Sequence, residues 1–345
     1  MVKIGNIILP DLPLSLAPME DVTDAAFRAI CKDHGADLLY TEFISSEGLI
    51  HDAINCRRKL DIFEEERPVG IQLFGGDEDR LALAAAIVEA TGPDLLDINF
   101  GCPVKGIVNN GAGAGVLKDI DRMIRLTRAC VQATRLPVTV KTRLGWDDGS
   151  KNIEEVAERL QDAGIAALTI HGRTRCQLYK GQADWTLIGK VKNNPRIKIP
   201  IFGNGDIDSP EKALEYKNRY GVDGIMIGRA AIGYPWIFRE TRHYLQTGTL
   251  PAPPTPEERL AVCKQHLRNA IRQKGPLAGV RFMRGRYAGY LKGLPDLTPF
   301  RKKWVLLQTP AEVENLLDEM SVFYQGFKME RTPIQLVNYH ERCAL

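Results

Sequence analysis

The sequence lacks any long hydrophobic run. No window holds the roughly eighteen uncharged apolar residues that a transmembrane helix needs. At the N-terminus a single Lys3 precedes apolar residues that Pro10, Asp11 and Pro13 interrupt, so a secretory signal pattern is missing too. These absences argue against membrane insertion and secretion, and they predict a cytoplasmic protein.

Cysteine pairs at metal-binding or redox spacing are also missing. The cysteines are odd in number, widely scattered, and form no C-x-x-C pair. This usage is typical of a reducing compartment and predicts no metal site. The seven cysteines are Cys31, Cys56, Cys102, Cys130, Cys176, Cys263 and Cys343.

Excess charge of one sign is small over the whole chain. The 345 residues carry a formal net charge of only +3, which excludes a protein that coats nucleic acid with its entire surface. A small net charge does not exclude a local concentration of one sign. With 44% hydrophobic residues, the chain can bury the core of one barrel-sized domain plus a smaller second domain.

Short apolar runs alternate eight times with amphipathic helical segments. Strands joined by crossover helices pair in parallel, and eight such units favour a closed (β/α)8 TIM barrel of the α/β class. Ahead of them, residues 2–9 alternate around Gly5-Asn6, which predicts a β-hairpin. The predicted barrel strands are 14–17, 38–41, 69–73, 95–99, 138–141, 167–171, 199–204 and 224–227.

A doubly wound open sheet is the alternative fold. Its dinucleotide-binding form carries a G-x-G-x-x-G turn directly after the first strand. Here the first strand is followed by Pro-Met-Glu at 18–20, and the glycine run at 111–115 has Val116 where the third glycine would stand. The absence of this motif favours the barrel.

Residues suited to binding follow nearly every predicted strand, and in a TIM barrel these strand ends share one mouth. The loops 204–206 and 228–229 offer glycine backbone N–H groups where barrels commonly hold phosphate. Lys141 and His171 face the same mouth, where a cation would stabilise negative charge on an electron-accepting ring. The mouth residues are Met19, Gln72, Asn99, Lys141, Arg143, His171, Asn204, Asp206, Gly228 and Arg229.

The loop over residues 97–105 (DINFGCPVK) contains the candidate catalytic group. A buried strand delivers Asn99 and Cys102 to a position where glycine and proline end regular structure. A lone cysteine is more often a small buried hydrophobic residue than a reactive group. The other mouth residues favour a reactive role for Cys102.

Several motifs, taken together, resemble the tRNA-dihydrouridine synthases. LAPMEDVTD at 16–24 resembles the family's opening motif, and NFGCP at 99–103 with the stretch 111–119 resembles its active-site signature. The resemblance runs from about residue 14 to residue 303. Four further motifs follow in the family's order: KTRLGW at 141–146, HGRT at 171–174, NGDI at 204–207 and IGR at 227–229.

This resemblance implies an FMN enzyme that uses NADPH to reduce uridines of tRNA to 5,6-dihydrouridine. It implies a TIM barrel with a small C-terminal all-helical domain, and it makes Cys102 the proton donor. Asn99 and Arg143 are the candidates to hold the polar edge of the uracil. The residues assigned to the cofactor are Pro18, Met19, Glu20, Gln72, Lys141, His171, Asn204, Gly205, Asp206, Gly228 and Arg229.

The chemistry of the reaction suits these residue types. Hydride from reduced flavin N5 would attack C6 of uracil and leave enolate character across C5 and O4, so an acid must protonate C5. A cysteine with an ordinary pKa of about 8.5 is mostly thiol at neutral pH and can donate that proton. The target base must also leave the tRNA fold, which predicts a flipped or splayed-out uridine.

The proline-rich segment 251–256 predicts a stiff linker, because proline continues neither helix nor sheet. It separates a catalytic domain at 1–250 from a helical tRNA-binding domain at 251–345. Apolar residues at helical spacing predict a closing helix over 312–325 in the second domain.

Basic residues are concentrated in the second domain. The segment 264–303 holds eleven lysines and arginines against the single acid Asp296. Its stretch 281–295 resembles a helix motif of the bacterial B-type branch but carries helix-weakening glycines at 285 and 289. The residues predicted to contact tRNA are Arg281, Arg284 and Arg286.

Two other functions stay open at this point. A small-molecule FMN oxidoreductase of the dihydroorotate or dihydropyrimidine dehydrogenase type shares the barrel and an Asn-x-x-Cys-Pro-like loop, but the basic segment argues against it. An RNA-binding helper without chemistry is the third hypothesis, and the presence of Cys102 and Lys141 argues against it. We expect a monomer that binds tRNA.

Overall fold

Strand segments alternate with helices through the first 250 residues of the computed structural model, which describes residues 1–334 and residue 336. The strands are β1 (Val2–Ile4), β2 (Ile7–Leu9), β3 (Leu14–Leu16), β4 (Leu39–Tyr40), β5 (Ile44–Ser45), β6 (Val69–Phe74), β7 (Leu95–Asn99), β8 (Val138–Arg143), β9 (Ala167–His171), β10 (Ile201–Asn204) and β11 (Gly224–Ile227). β1 and β2 form the antiparallel hairpin that the sequence predicts. All the others belong to one parallel sheet.

The parallel sheet is an eight-stranded barrel. Its order is β3-β11-β10-β9-β8-β7-β6-β4, and β5 extends the line of β4 along β6. A parallel bridge between Ser15 and Leu38 joins the two ends, with the Leu16 N–H donating to the Leu38 carbonyl at 3.0 Å. The predicted TIM barrel is therefore confirmed, and the predicted strands lie within a few residues of the observed ones.

Helices cover the outside of the barrel and make up the C-terminal part. Polar caps begin several of them: the Asp77 side chain, for example, accepts from the Arg80 N–H at 2.9 Å at the start of α4. No helix in the described residues has the length and apolarity to cross a membrane. The helices are α1 (Ala25–Asp33), α2 (Ser46–Ile50), α3 (Ile54–Arg58), α4 (Glu78–Ala90), α5 (Lys105–Asn109), α6 (Ile120–Ala133), α7 (Ile153–Asp162), α8 (Thr186–Asn193), α9 (Pro210–Tyr220), α10 (Trp236–Thr247), α11 (Pro256–Lys274), α12 (Pro276–Met283), α13 (Tyr287–Tyr290), α14 (Thr298–Trp304) and α15 (Pro310–Phe323).

Two large hydrophobic cores divide the described residues, and a small third cluster contains Ala25, Ala29 and Phe63. The larger lies in and around the barrel, and the smaller joins α11 to α15. Ala26, Ile30 and Trp236 of the barrel half belong to the smaller core, so α11 packs directly on α1 and on the start of α10. The boundary proposed at residue 250 stays a prediction.

Carboxylates from outside the basic segment 264–303 pair with five of its cations. In three of the pairs the carboxylate belongs to α15, which lies outside the segment 264–303, and in the other two it belongs to the barrel half. The pairs are Lys264 with Asp318, Arg268 with Glu314, Lys303 with Glu319, Arg272 with Glu65, and Lys274 with Asp24. The positive charge available to a partner is therefore smaller than the sequence indicates.

Candidate active site

A cavity of about 530 Å³ lies at the carboxyl ends of the barrel strands. The sheet register places Asn99 beside Lys141, and it places Arg143 and Asn204 on either side of His171. Of the site residues predicted from the barrel half, all except Gln72 line this cavity. They are Pro18, Met19, Glu20, Asn99, Cys102, Lys141, Arg143, His171, Asn204, Gly205, Asp206, Gly228 and Arg229.

The loop after β7 holds Cys102 in a defined backbone position. The Asn99 side-chain oxygen accepts from the N–H groups of Gly101 at 2.9 Å and Cys102 at 2.8 Å. The Cys102 carbonyl accepts from the Ala114 N–H at 3.0 Å. Gly113 has φ +53°, and a Cβ there would lie 3.0 Å from the Cys102 carbonyl oxygen, which explains the need for glycine in this segment.

A buried hydrogen-bond chain supports Asn99 from behind. Its amide donates to Gln72 Oε1 at 2.8 Å, and Gln72 Nε2 donates to Asp97 Oδ2 at 2.6 Å. Thr139 donates its hydroxyl to the other Asp97 oxygen at 2.5 Å. Gln72, which was expected to bond the flavin ring, is fully buried with both ends of its amide engaged. Its position suits a residue that orients Asn99.

Arg143 fastens the Cys102 loop to the loop after β9. Its Nε donates to the Gly101 carbonyl at 2.7 Å, and its Nη1 donates to the carbonyls of Thr174 and Leu178, both at 3.0 Å. Arg143 was expected to hold the uracil edge. The structure commits most of its N–H groups to backbone, so its side chain also orients the loops on both sides of the cavity.

The Cys102 side chain is buried but lines the cavity. Burial raises the pKa of the Cys102 thiol above its ordinary value, although a backbone N–H at Val104 and the charge of Arg143 act in the opposite direction. The group is therefore a thiol, not a thiolate, at neutral pH. A thiol at this position can donate a proton into the cavity.

Lys141 brings a buried ammonium group to the cavity wall. Burial and the charge of Arg143 lower the pKa of Lys141 to about 8, while Asp97 and Cys102 act in the opposite direction. Within the described residues Lys141 forms no ion pair below 4 Å. A buried cation of this kind favours an anionic partner.

His171 lies beside Arg143 in a strongly positive environment. Burial and the charges of Arg143, Lys141 and Arg173 hold the pKa of His171 well below its ordinary value, so the imidazole is neutral. Arg173 Nη1 lies 3.3 Å from His171 Nε2. Since a guanidinium cannot accept a hydrogen bond, Nε2 accepts and Nδ1 carries the ring proton.

The seventh and eighth strand ends form a cationic corner. The Asp206 carboxylate accepts from Arg173 Nη2 at 2.6 Å and from Arg229 Nη2 at 2.9 Å. Two guanidinium groups against one carboxylate leave one net positive charge. Gly205 has φ +124°, and a Cβ there would lie 2.6 Å from Ala183 Cβ and 3.1 Å from His171, so glycine is required at this turn.

A second depression, the interdomain groove, adjoins the mouth. Glu20 lines both, and its carboxylate pairs with Lys59. The groove has a volume of about 970 Å³ and runs between the loop after β3, α3 and the start of α12. Four carboxylates and four cations line the groove, and Lys59 and Lys274 pair with Glu20 and Asp24. The carboxylates are Glu20, Asp21, Asp24 and Glu42, and the cations are Arg58, Lys59, Lys274 and Arg281.

The three arginines predicted to contact tRNA do not share one helical face, because α12 ends at Met283. Arg281 is exposed and lines the interdomain groove. Arg284 donates to the Leu307 carbonyl at 2.6 Å. Arg286 stacks on Phe282 with 3.4 Å between guanidinium carbon and ring centroid, and donates to the Asp21 carbonyl at 2.5 Å. Arg284 and Arg286 thus hold the helical part together and fasten it to the barrel.

Several residues of this site had no role predicted from the sequence, among them Arg173, Tyr179 and Leu336. Arg173 stood inside the HGRT motif, so the motif itself was a signal. Tyr179 lines the cavity and packs under Arg143 and Arg229, at 5.8 Å and 5.0 Å from guanidinium carbon to ring centroid. Leu336 also lines the cavity, more than a hundred residues beyond the last barrel strand. Neither Tyr179 nor Leu336 has a local pattern that predicts its place.

A protein-family model matches most of the chain. The family model described as dihydrouridine synthase (Dus) matches residues 15–325. The chain belongs to this family. The membership confirms the resemblance drawn from the motifs and supports a flavin as the cofactor.

Relatives of this dihydrouridine synthase family member match nearly their full length. The tRNA-dihydrouridine synthase B of Pseudomonas aeruginosa is 42% identical over 309 residues, 89% of this chain and 92% of that protein. A probable tRNA-dihydrouridine synthase of Rickettsia conorii is 38% identical over 320 residues, 92% of this chain and 96% of the relative.

Solved structures with low sequence identity share the fold. A 2-naphthoyl-CoA reductase complex aligns with a TM-score of 0.56 at 12% identity, covering 99% of this chain and 72% of that one. Histamine dehydrogenase from Rhizobium sp. 4-9 aligns with a TM-score of 0.54 at 13% identity, covering 78% of this chain and 50% of that one. At these identities the likeness shows the barrel fold alone.

The residues around the cavity fit a flavin. Lys141 supplies a buried ammonium group for an electron-rich ring, and the corner at Gly205 and Arg229 supplies net positive charge and glycine backbone for a phosphate. The cavity volume lies within the range of small-molecule and cofactor sites.

Proposed function

We propose that the protein reduces uridines of tRNA to 5,6-dihydrouridine, with FMN as cofactor and NADPH as the source of electrons. The observation that carries the proposal is a protonated Cys102 thiol lining a cationic cavity in a member of the dihydrouridine synthase family. The balanced reaction adds hydride at C6 and a proton at C5 of uracil, and it converts NADPH to NADP⁺.

The bound flavin supplies the hydride. Cys102 donates the proton at C5, and bulk solvent restores it. Asn99 and the chain behind it hold the backbone N–H of Cys102, so the thiol keeps its direction during turnover. Arg143 holds the same loop through the Gly101 carbonyl. A neutral His171 contributes no charge to the site, whereas Lys141 supplies a buried positive charge that would suit an electron-accepting ring.

Lys141 stabilises the negative charge that a flavin ring acquires on reduction, because its ammonium group is buried next to the cavity. Gly205, Gly228 and Arg229 bind the FMN phosphate at the seventh and eighth strand ends. Pro18, Met19 and Asn204 complete the walls around the cofactor.

We assign the tRNA backbone to the interdomain groove. Because Glu20 lines both the groove and the mouth, a strand that follows the groove brings a splayed-out uridine to the cavity. Arg58 and Arg281 are exposed in this groove and can contact phosphates. These two replace Arg284 and Arg286 as the candidates that we favour.

Two measurements test the function. The purified protein should contain one FMN per chain, visible as flavin absorbance. Dihydrouridine mapped in tRNA from cells that lack the gene should be missing at one or more positions and return on complementation. A colourless protein that binds no FMN, or an unchanged dihydrouridine map, would contradict the proposal.

A further inference from the structure

The C-terminal segment returns to the barrel after the last helix. We define the C-terminal strap as residues 331–334 and 336. It lies beyond the family match, which ends at residue 325, so the motifs that identify the family do not include it. Ile334 and Leu336 pack against the barrel core, and Leu336 lines the cavity together with the cofactor residues.

Arg331 anchors the strap to the helix that follows the eighth barrel strand. Its guanidinium donates to both oxygens of Glu240, at 2.9 Å and 3.2 Å, and to the Pro251 carbonyl at 2.6 Å. The Glu240 side chain is only 1% exposed. A buried carboxylate needs a charge-assisted partner, so this bidentate pair is costly to break.

The anchor is connected to the loop that we assign to the cofactor phosphate. The Tyr234 hydroxyl donates to Glu240 at 2.9 Å, and Tyr234 lies six residues after Gly228 in the same loop. Five residues of extended chain reach at most about 17 Å, which limits where Leu336 can lie relative to Arg331. The strap therefore reaches the mouth from the side of the seventh and eighth strands.

We infer that the C-terminal strap is part of the flavin site, with Leu336 forming a wall that slows release of the cofactor. The inference rests on the proposed function, since it needs a flavin in the cavity. An apolar side chain fits this role because it excludes water and adds contact area without adding a charge to the corner that binds phosphate. The anchor at Glu240 holds that side chain in place.

The test measures FMN release rather than activity. Two variants are used: Leu336→Ala, and a chain ended after Ile334 that keeps the Arg331 anchor. Each is loaded with FMN and diluted, and the release of FMN is followed by the return of flavin fluorescence. Both should release FMN about 3- to 10-fold faster than the unaltered protein, the range expected for partial loss of one leucine contact. Leu306→Ala is the matched control, because Leu306 is 73% exposed in the helical part, and its rate should not change.

A second pair of variants examines the anchor. Arg331→Ala should speed FMN release at least as much as Leu336→Ala, and Arg331→Lys should restore part of the difference, provided that circular dichroism shows folded protein. Unchanged release in Leu336→Ala and in the shortened chain would overturn the inference, as would a lower KM for tRNA with unchanged FMN release. An unaltered protein that binds no FMN would instead contradict the proposed function itself.

Discussion

Replacement of Cys102 by alanine tests the acid role directly. A positioned general acid typically contributes a factor of about 10² to 10⁴, or roughly 3 to 5 kcal/mol at 1.36 kcal/mol per decade. We expect Cys102→Ala to slow reduction of tRNA by that factor. The fold should persist, because the bonds that position the loop use the backbone N–H and carbonyl of residue 102 and not its side chain.

The assay separates the two halves of the reaction. FMN content and the rate of flavin reduction by NADPH should stay within about twofold of the unaltered protein, while reoxidation of the reduced flavin by tRNA slows in single turnover. Cys176→Ala is the matched control, because that cysteine is exposed and does not line the cavity.

The pH dependence gives an independent measure. Since burial raises the pKa of the Cys102 thiol above the ordinary cysteine value of about 8.5, the thiol stays protonated at neutral pH. The rate of the tRNA step should therefore show no loss assignable to this thiol between about pH 6 and pH 8. Full tRNA reduction by Cys102→Ala would refute the assignment.

Three further predictions follow from named contacts. Lys141→Met should weaken FMN binding, and the FMN affinity of the unaltered protein should fall as pH rises through about 8, where Lys141 loses its proton. Titrations of flavin fluorescence from pH 6 to pH 9.5 check both expectations. Equal pH dependence in the two proteins would count against a role of Lys141 in FMN binding. Gln72→Leu leaves one oxygen of the buried Asp97 and the amide N–H of Asn99 without a hydrogen-bond partner, so urea unfolding should show a loss of about 2 kcal/mol or more, and an unchanged midpoint would contradict the hydrogen-bond chain. Arg58→Gln with Arg281→Gln should flatten the plot of log tRNA affinity against log salt by about one to two units, whereas Lys302→Gln should not; an unchanged slope in the double variant would remove the groove from the tRNA surface.

Local patterns in the sequence determined most of the barrel. Apolar runs and caps repeat within a few residues, so all eight strand positions and the hairpin could be predicted from short windows. The motif around Cys102 and the loops after β10 and β11 also follow from local sequence, because strand ends in a TIM barrel must share one mouth. The family could be named on these motifs.

Only the tertiary structure decided what each side chain contacts. Gln72 faces the barrel interior on the same side as Asp97 and Asn99, but it pairs in register with Asp97, one layer below the mouth, so its amide bonds Asp97 and Asn99 and does not line the cavity. The sequence shows a single acid within the basic segment 264–303, but in the structure carboxylates of α15 form ion pairs with its cations. Arg284 and Arg286 donate to backbone carbonyls that are distant in sequence. Leu336 reaches the mouth from far along the chain. Such contacts join residues that no short window contains, so local sequence determined the barrel and its motifs, and long-range packing determined the partners.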